Sequence, residues 1–260
     1  MRHLSVDLPP MDNAEIIREA VSQVSDLRAQ QAANPPLKAA VQAVKSFQSR
    51  RFAGTYADLL AGGSFQAAAR FFLDELYCDK DFTERDSQFG RIAGALQAVF
   101  PQQVVGTAVS LAQLHARTEE LDHAMADHWC SHASASSATL SEAARYRLAW
   151  QAVGQRDQRE GQLTAVQDLG RELARLTRLP GLRMMLKMMR RPAQLAGLAS
   201  LQAFLESGFD TFAEMSKRQK ASEVFLAIVA ERETALLALL FDGDPVACET
   251  QLTRTLGLAR

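Results

Sequence analysis

Residues 64–100 read SFQAAARFFLDELYCDKDFTERDSQFGRIAGALQAVF. A helix turns about 100° per residue, so spacing alone sorts side chains onto faces. Over 64–77, Phe65, Ala68, Ala69, Phe72 and Leu76 form one apolar stripe, with Phe71 beside it and Glu75 at its edge. An acidic turn follows, and then Phe82, Phe89, Ile92, Ala93, Leu96, Val99 and Phe100 form a second stripe. Thr83 and Asp86 fit a capping pattern in which a hydroxyl accepts from the third amide along. Arg85 falls near the middle of the second stripe. An arginine there must reach out to water or meet a carboxylate. Glu75, on the preceding antiparallel helix, is the expected partner. Two amphipathic helices held by a charge pair point to a helical bundle.

The same period extends outward in both directions. Strict alternation of apolar and polar residues occurs nowhere, so no strand is expected, and the fold class is all-α, a bundle of about nine to eleven helices. Helices are expected over 12–33 and 37–60, separated by Asn34-Pro35-Pro36 and closed by Gly62-Gly63. Pro101 opens the next, to about residue 129. Thr139-Leu140-Ser141-Glu142 reads as a capping box for a helix carrying Tyr146 and Trp150. That helix meets Gly154, a charged patch and Gly161 before an amphipathic stretch ends at Leu179-Pro180-Gly181. Pro192 is expected to open a helix bearing Leu195, Leu198, Leu201, Leu205, Phe209 and Phe212. An apolar helix over 220–241 and a short one from Asp244-Pro245 complete the chain.

Residues 1–11 look loosely attached, and the small polar run 131–137 reads as a linker. The expected organisation is an extension and first helix (1–35), an N-terminal bundle (36–132) and a C-terminal helical part (139–260) packed on it, or one continuous domain.

The run Phe71-Phe72-Leu73-Asp74-Glu75-Leu76-Tyr77 resembles the signature of the bacterial FFLEELY-motif proteins, with Asp74 at the signature's first Glu. The resemblance extends to 55–59, 121–125 and 205–209, and so covers most of the chain. That family has no assigned activity, so the likeness implies a shared helical fold and nothing catalytic.

Composition excludes several function classes. With 260 residues, 47% of them hydrophobic, the chain can bury a sizeable core. A net charge of −1 gives no overall pull toward nucleic acid or an anionic surface. Cys78, Cys130 and Cys248 are far apart, which fits a reducing cytoplasm better than a disulfide scaffold or zinc ribbon. The N-terminus lacks a signal-peptide core, and the apolar run 235–241 is far shorter than the roughly 18 residues that span a bilayer.

Several chemical motifs are weighed against plainer readings. Glu120 and His123 form a single Glu-x-x-His on the outer side of its helix, whereas a di-metal bundle needs two, facing inward. His128 and His132 are spaced i,i+4 but lack the catalytic Glu of a zinc protease. Neither a nucleophile elbow nor a Gly-rich phosphate loop is present, so no cofactor is expected.

The stronger signal is polar residues on core faces. Gln48, Arg51 and Thr55 interrupt the stripe of the second helix, with Tyr56 on its flank. Asp122 and His115 lie beside the inner face of the fifth, and Glu119 at its edge. Buried polar groups must find partners. The functional reading is a ligand site built from Arg51, Tyr56, Glu75, Arg85, His115 and Asp122, in which Arg51 or Arg85 holds a small anion. The structural reading is an ion-pair network that fixes helix register. A metal-dependent or acid/base enzyme using Glu75, Asp122 and His115 is the alternative function. A second candidate surface is the stretch 171–191, with seven Lys/Arg against one Glu. There Met184, Met185, Met188 and Met189 could take up a protein partner or an amphipathic ligand, or simply pack in the core. It lacks the aromatics that stack bases.

Overall fold

A computed structural model describes residues 12–78, 80–131, 140–218 and 220–259. The extension 1–11, the linker 131–137 as a boundary, His132 and the Thr139 cap therefore lie wholly or partly outside the described residues. Those described are mostly helical, joined by turns, with no strand among them. Thirteen helical segments are present among them, more than the nine to eleven expected. They are α1 (Asn13–Ala33), α2 (Pro35–Thr55), α3 (Ala57–Leu60), α4 (Gln66–Glu75), α5 (Thr83–Val99), α6 (Gln102–Ser131) and α7 (Glu142–Val153). The rest are α8 (Arg156–Leu176), α9 (Leu182–Met188), α10 (Arg190–Leu195), α11 (Ala199–Ser216), α12 (Ala221–Asp242) and α13 (Pro245–Leu258).

The extra segments come from breaks inside runs that read as continuous. The helix expected over 37–60 stops at Thr55, because Tyr56 leaves helical geometry to send its hydroxyl into the core, and α3 resumes the path. Pro192 lies within α10, and Gly197, at φ 65°, turns the chain before α11 begins. That break leaves Leu195 on the surface. Gly161 interrupts nothing; it lies inside α8, whose first turns are the charged patch. The cap residue of α5 is Phe82, not Thr83, and it has no side-chain cap bond; instead Asp81 Oδ1, just outside the helix, accepts from the Thr83 amide at 2.8 Å and from the Thr83 hydroxyl at 2.6 Å. Asp86 is thereby released from any capping role.

The 30-residue α6 is the axis, packed by α1, α2, α7 and α8. One core cluster runs from Ala14 of α1 through Phe72 of α4 to Val229 of α12. A second, around Met125, Trp129, Tyr146 and Trp150, joins α2, α6, α7, α12 and α13. Both clusters mix residues from either side of the serine-alanine run, so the hydrophobic interior is shared between the two halves. A small third cluster, Leu176, Leu182, Leu186 and Phe209, seats α9 over the far end of α8. No helix among the described residues is long and apolar enough to cross a membrane.

Candidate functional site

A cavity of about 280 Å³ lies between the helices. Its lining is sorted by polarity along α6 and α8. At one end stand Thr118, Glu119 and Asp122 of α6 with Arg159 and Gln162 of α8. Toward the other stand Val104, Ala108 and Leu111 of α6 with Val166, Leu173 and Leu176 of α8. The two helices run antiparallel, because Arg159 reaches the Leu121 carbonyl near the end of α6 while Leu176 shares a cluster with Val104 at its start. At about 1.5 Å of rise per residue, the lining from Arg159 to Leu176 extends about 25 Å.

The polar end is a set of ion pairs, and most of its cations already have carboxylates. Arg51 Nη1 donates to Glu233 Oε1 at 2.6 Å, and the Tyr56 hydroxyl donates to the same oxygen at 3.0 Å. Glu233 is only 8% exposed. Burial opposes the Arg51 charge, but the Glu233 carboxylate, with smaller contributions from Tyr77 and Tyr146, more than offsets it and holds the guanidinium protonated. Burial pushes the Tyr56 phenol up, and Glu233 adds to that. Lys45 Nζ donates to Glu119 Oε1 at 2.5 Å, and Gln48 Nε2 to Asp122 Oδ1 at 2.9 Å.

Asp86 anchors a second group. Arg28 Nη2 lies 2.6 Å and His115 Nε2 2.8 Å from its Oδ2. Burial would raise the Asp86 carboxyl, but His115 and Arg28 together hold it below its ordinary range. The expected Glu75–Arg85 pair is formed at 3.4 Å. It is half-solvated, and Arg85 gains more from lying over the rings of Phe82 and Phe204 at 3.7 and 4.5 Å. Burial nonetheless lowers the Arg85 guanidinium.

The six residues singled out in the sequence therefore fall into four sets: Arg51 with Tyr56 on Glu233, Glu75 with Arg85, His115 with Asp86, and Asp122 with Gln48. All but Tyr56 line the cavity. Glu75, Asp122 and His115 make no hydrogen bond with one another among the described residues, and no cluster of metal-ligating side chains is found there. Arg51 and Arg85, expected to hold an anion, are both occupied by carboxylates of the chain itself.

Among the described residues, the cation of the polar end without a carboxylate hydrogen bond is Arg159, which the sequence did not single out. It is 4% exposed and lies over the Trp150 ring at 4.1 Å. Its Nη2 makes one long contact, 3.5 Å, to the Leu121 carbonyl, and its Nε has no partner. Asp122, 2% exposed, is a carboxylate whose charge acts on Arg159 without a hydrogen bond between them. Burial raises the Asp122 carboxyl and lowers the Arg159 guanidinium, so each ion is held at a cost. Tyr146, pushed up to about 12 by burial, stays neutral beside them. Glu233 was equally missed: it lies in a run of 22 residues so apolar that its charge reads as surface. For Arg159 the signal was present, since it falls on the face of α8 that carries Leu163, Val166 and Leu173.

A family model described as a domain of unknown function, DUF8198, matches residues 27–247. The chain belongs to the DUF8198 family. The matched DUF8198 region contains every charged residue of the polar end, from Arg28 to Glu233. Comparison with curated proteins and with solved structures gave no match.

Proposed function

We propose that this DUF8198 protein is a non-enzymatic binder of a small anionic ligand, taken into the cavity between α6 and α8. The observation that carries the reading is Arg159: a buried arginine on the cavity wall without a carboxylate hydrogen bond among the described residues. Removing one partner from a buried charge pair costs about 3–5 kcal/mol, so a lone charge is retained where something else completes it. The volume argues the same way: a cavity of about 280 Å³ lined mainly by apolar side chains with a few polar groups has room for a small molecule. The polar cluster is too deeply buried to meet a protein partner, so a small molecule suits it better.

Trp150 provides the test, because it lines the cavity and stacks on Arg159. Small organic acids should change its fluorescence saturably and raise the melting temperature in parallel. Indifference of both signals across a panel of such acids would contradict the proposal.

A second surface belongs to the same reading. Met184 and Met188 of α9 are 65% and 70% exposed, while Met185 and Met189 are half-buried. Exposed methionines flanked by Arg183, Lys187 and Arg191 suit an amphipathic partner. Replacing Met184 and Met188 by Gln should leave stability unchanged and weaken any such contact. Three unpaired thiols favour a reducing compartment, which supports placing the protein in the cytoplasm. The FFLEELY resemblance is proposed alongside the DUF8198 assignment, on the strength of Phe71 to Tyr77.

A further inference from the structure

The ligand's chemistry can be read from how the cavity wall changes along its length. Asp122 and Arg159 stand at one end of the α6–α8 wall, while Glu75, Arg85, Asp86 and His115 line the cavity in separate groups of their own; beyond Gln162 the α8 wall is Leu163, Val166, Leu169, Gly170, Leu173 and Leu176. The facing wall of α6 is Leu111, Ala108 and Val104, with Thr107 among them, whose hydroxyl already donates to the Gln103 carbonyl. Leu182 and Leu186 of α9 close the end. A compact anion would touch Arg159 and leave most of this apolar wall bare. A chain of methylenes would cover it, and each buried methylene adds to affinity.

Charge decides the head group. Lys45, Arg51 and Arg85 are each matched by a carboxylate, and Asp86 is matched by Arg28 and His115. Asp122 takes its hydrogen bond from Gln48 instead of from Arg159, although its charge still acts on Arg159. Arg159 is thus the guanidinium of the site with no carboxylate hydrogen bond among the described residues, and its Nε is unused. One free fork beside a neighbouring carboxylate suits a head group of the least charge, and the planar fork of an arginine suits a carboxylate. A phosphate monoester would bring a second negative charge that nothing there offsets.

We infer that the ligand is a long-chain aliphatic carboxylate, its head on Arg159 and its tail lying between α6 and α8 toward Leu182 and Leu186 of α9. This rests on the reading of the cavity as a ligand site.

The two ideas separate in one set of calorimetric titrations. Palmitate, butyrate, cetyl alcohol and hexadecyl phosphate are each titrated into the full-length protein and into Arg159→Gln and Leu173→Trp. Gln at 159 keeps a donor and much of the shape; Trp at 173 fills the apolar part of the cavity far from the head. Circular dichroism melts confirm that both variants are folded. The expected result is one palmitate site, weakened about tenfold or more by Arg159→Gln and abolished by Leu173→Trp. Butyrate binding as tightly as palmitate, with Leu173→Trp silent, would overturn the long chain and leave the anion site standing. Cetyl alcohol or hexadecyl phosphate binding as tightly as palmitate would overturn the carboxylate. Failure of all four to bind the folded wild type would overturn the inference and the proposed function together.

Discussion

Replacing Glu233 by Ala should be among the most damaging single changes in this protein. Glu233 Oε1 accepts from Arg51 Nη1 at 2.6 Å and from the Tyr56 hydroxyl at 3.0 Å. Both donors are buried, and the Arg51 Nε already lacks a partner. The substitution strands a guanidinium without its counter-ion and leaves a phenol unsatisfied. Breaking a buried pair from one side costs about 3–5 kcal/mol, and the orphaned hydroxyl adds about 1 kcal/mol. With a urea m value of about 3 kcal/mol/M, the midpoint should fall by about 1–2 M. The companion variant separates charge from packing. Arg51→Met combined with Glu233→Leu removes both ions and should recover most of the loss, since apolar replacement of a whole buried pair is often neutral or better. A midpoint shift below about 0.3 M for Glu233→Ala, at unchanged m, would mean that Arg51 is solvated and the pair is not buried.

Other outcomes follow from the same geometry. Gly54 lets α2 and α13 touch: a Cβ there would lie 1.9 Å from the Thr255 carbonyl oxygen, which is backbone and cannot rotate away. Gly54→Ala should therefore cost about 2–3 kcal/mol in denaturant melts; a neutral result would show that α13 is not docked. Asp86 is held below its ordinary range in the folded protein, so its contribution is present above the unfolded pKa of about 4 and is lost as pH falls through the lower folded value. Asp86→Asn should lower stability at neutral pH and flatten the acid limb of a stability-against-pH curve, which an unchanged limb would refute. Asp122 has the opposite sign. Burial raises it, so its stabilising contribution is complete below about pH 4 and disappears as pH rises through the folded value. Asp122→Asn should consequently raise the melting temperature at neutral pH, and a fall would show that the ionised carboxylate is needed.

How far the chain could be read beforehand depends on how local each signal was. The helices and most of their ends follow from period and punctuation: Asn34 accepts from the Leu37 amide and Asp244 from the Ala247 amide, as their places before Pro35 and Pro245 suggest. The break at Tyr56 was hidden because its cause, Glu233, lies 177 residues away. The Glu75–Arg85 contact was legible because ten residues and one turn separate the two. Arg51–Glu233, 182 residues apart, was not, and it is the more deeply buried pair. Arg51 and Asp122 were recognised as polar groups on core faces, but not whom they would meet. Arg159 looked like one charge among several at the start of a helix. Only the fold shows that carboxylates were assigned to Arg51 and Arg85 and not to it.

The most direct measurement follows the ligand's own head group. Palmitate carrying carbon-13 in its carboxyl is added to the protein, and its resonance is followed by NMR as pH is lowered. A guanidinium beside a carboxylate favours the charged form, whereas burial and the neighbouring Asp122 oppose it, so the comparison that isolates Arg159 is with its own variant. The bound signal should titrate at a clearly lower pH in the wild type than in Arg159→Gln; a bound carboxyl whose titration Arg159→Gln leaves unmoved would contradict the placement of an anion on Arg159.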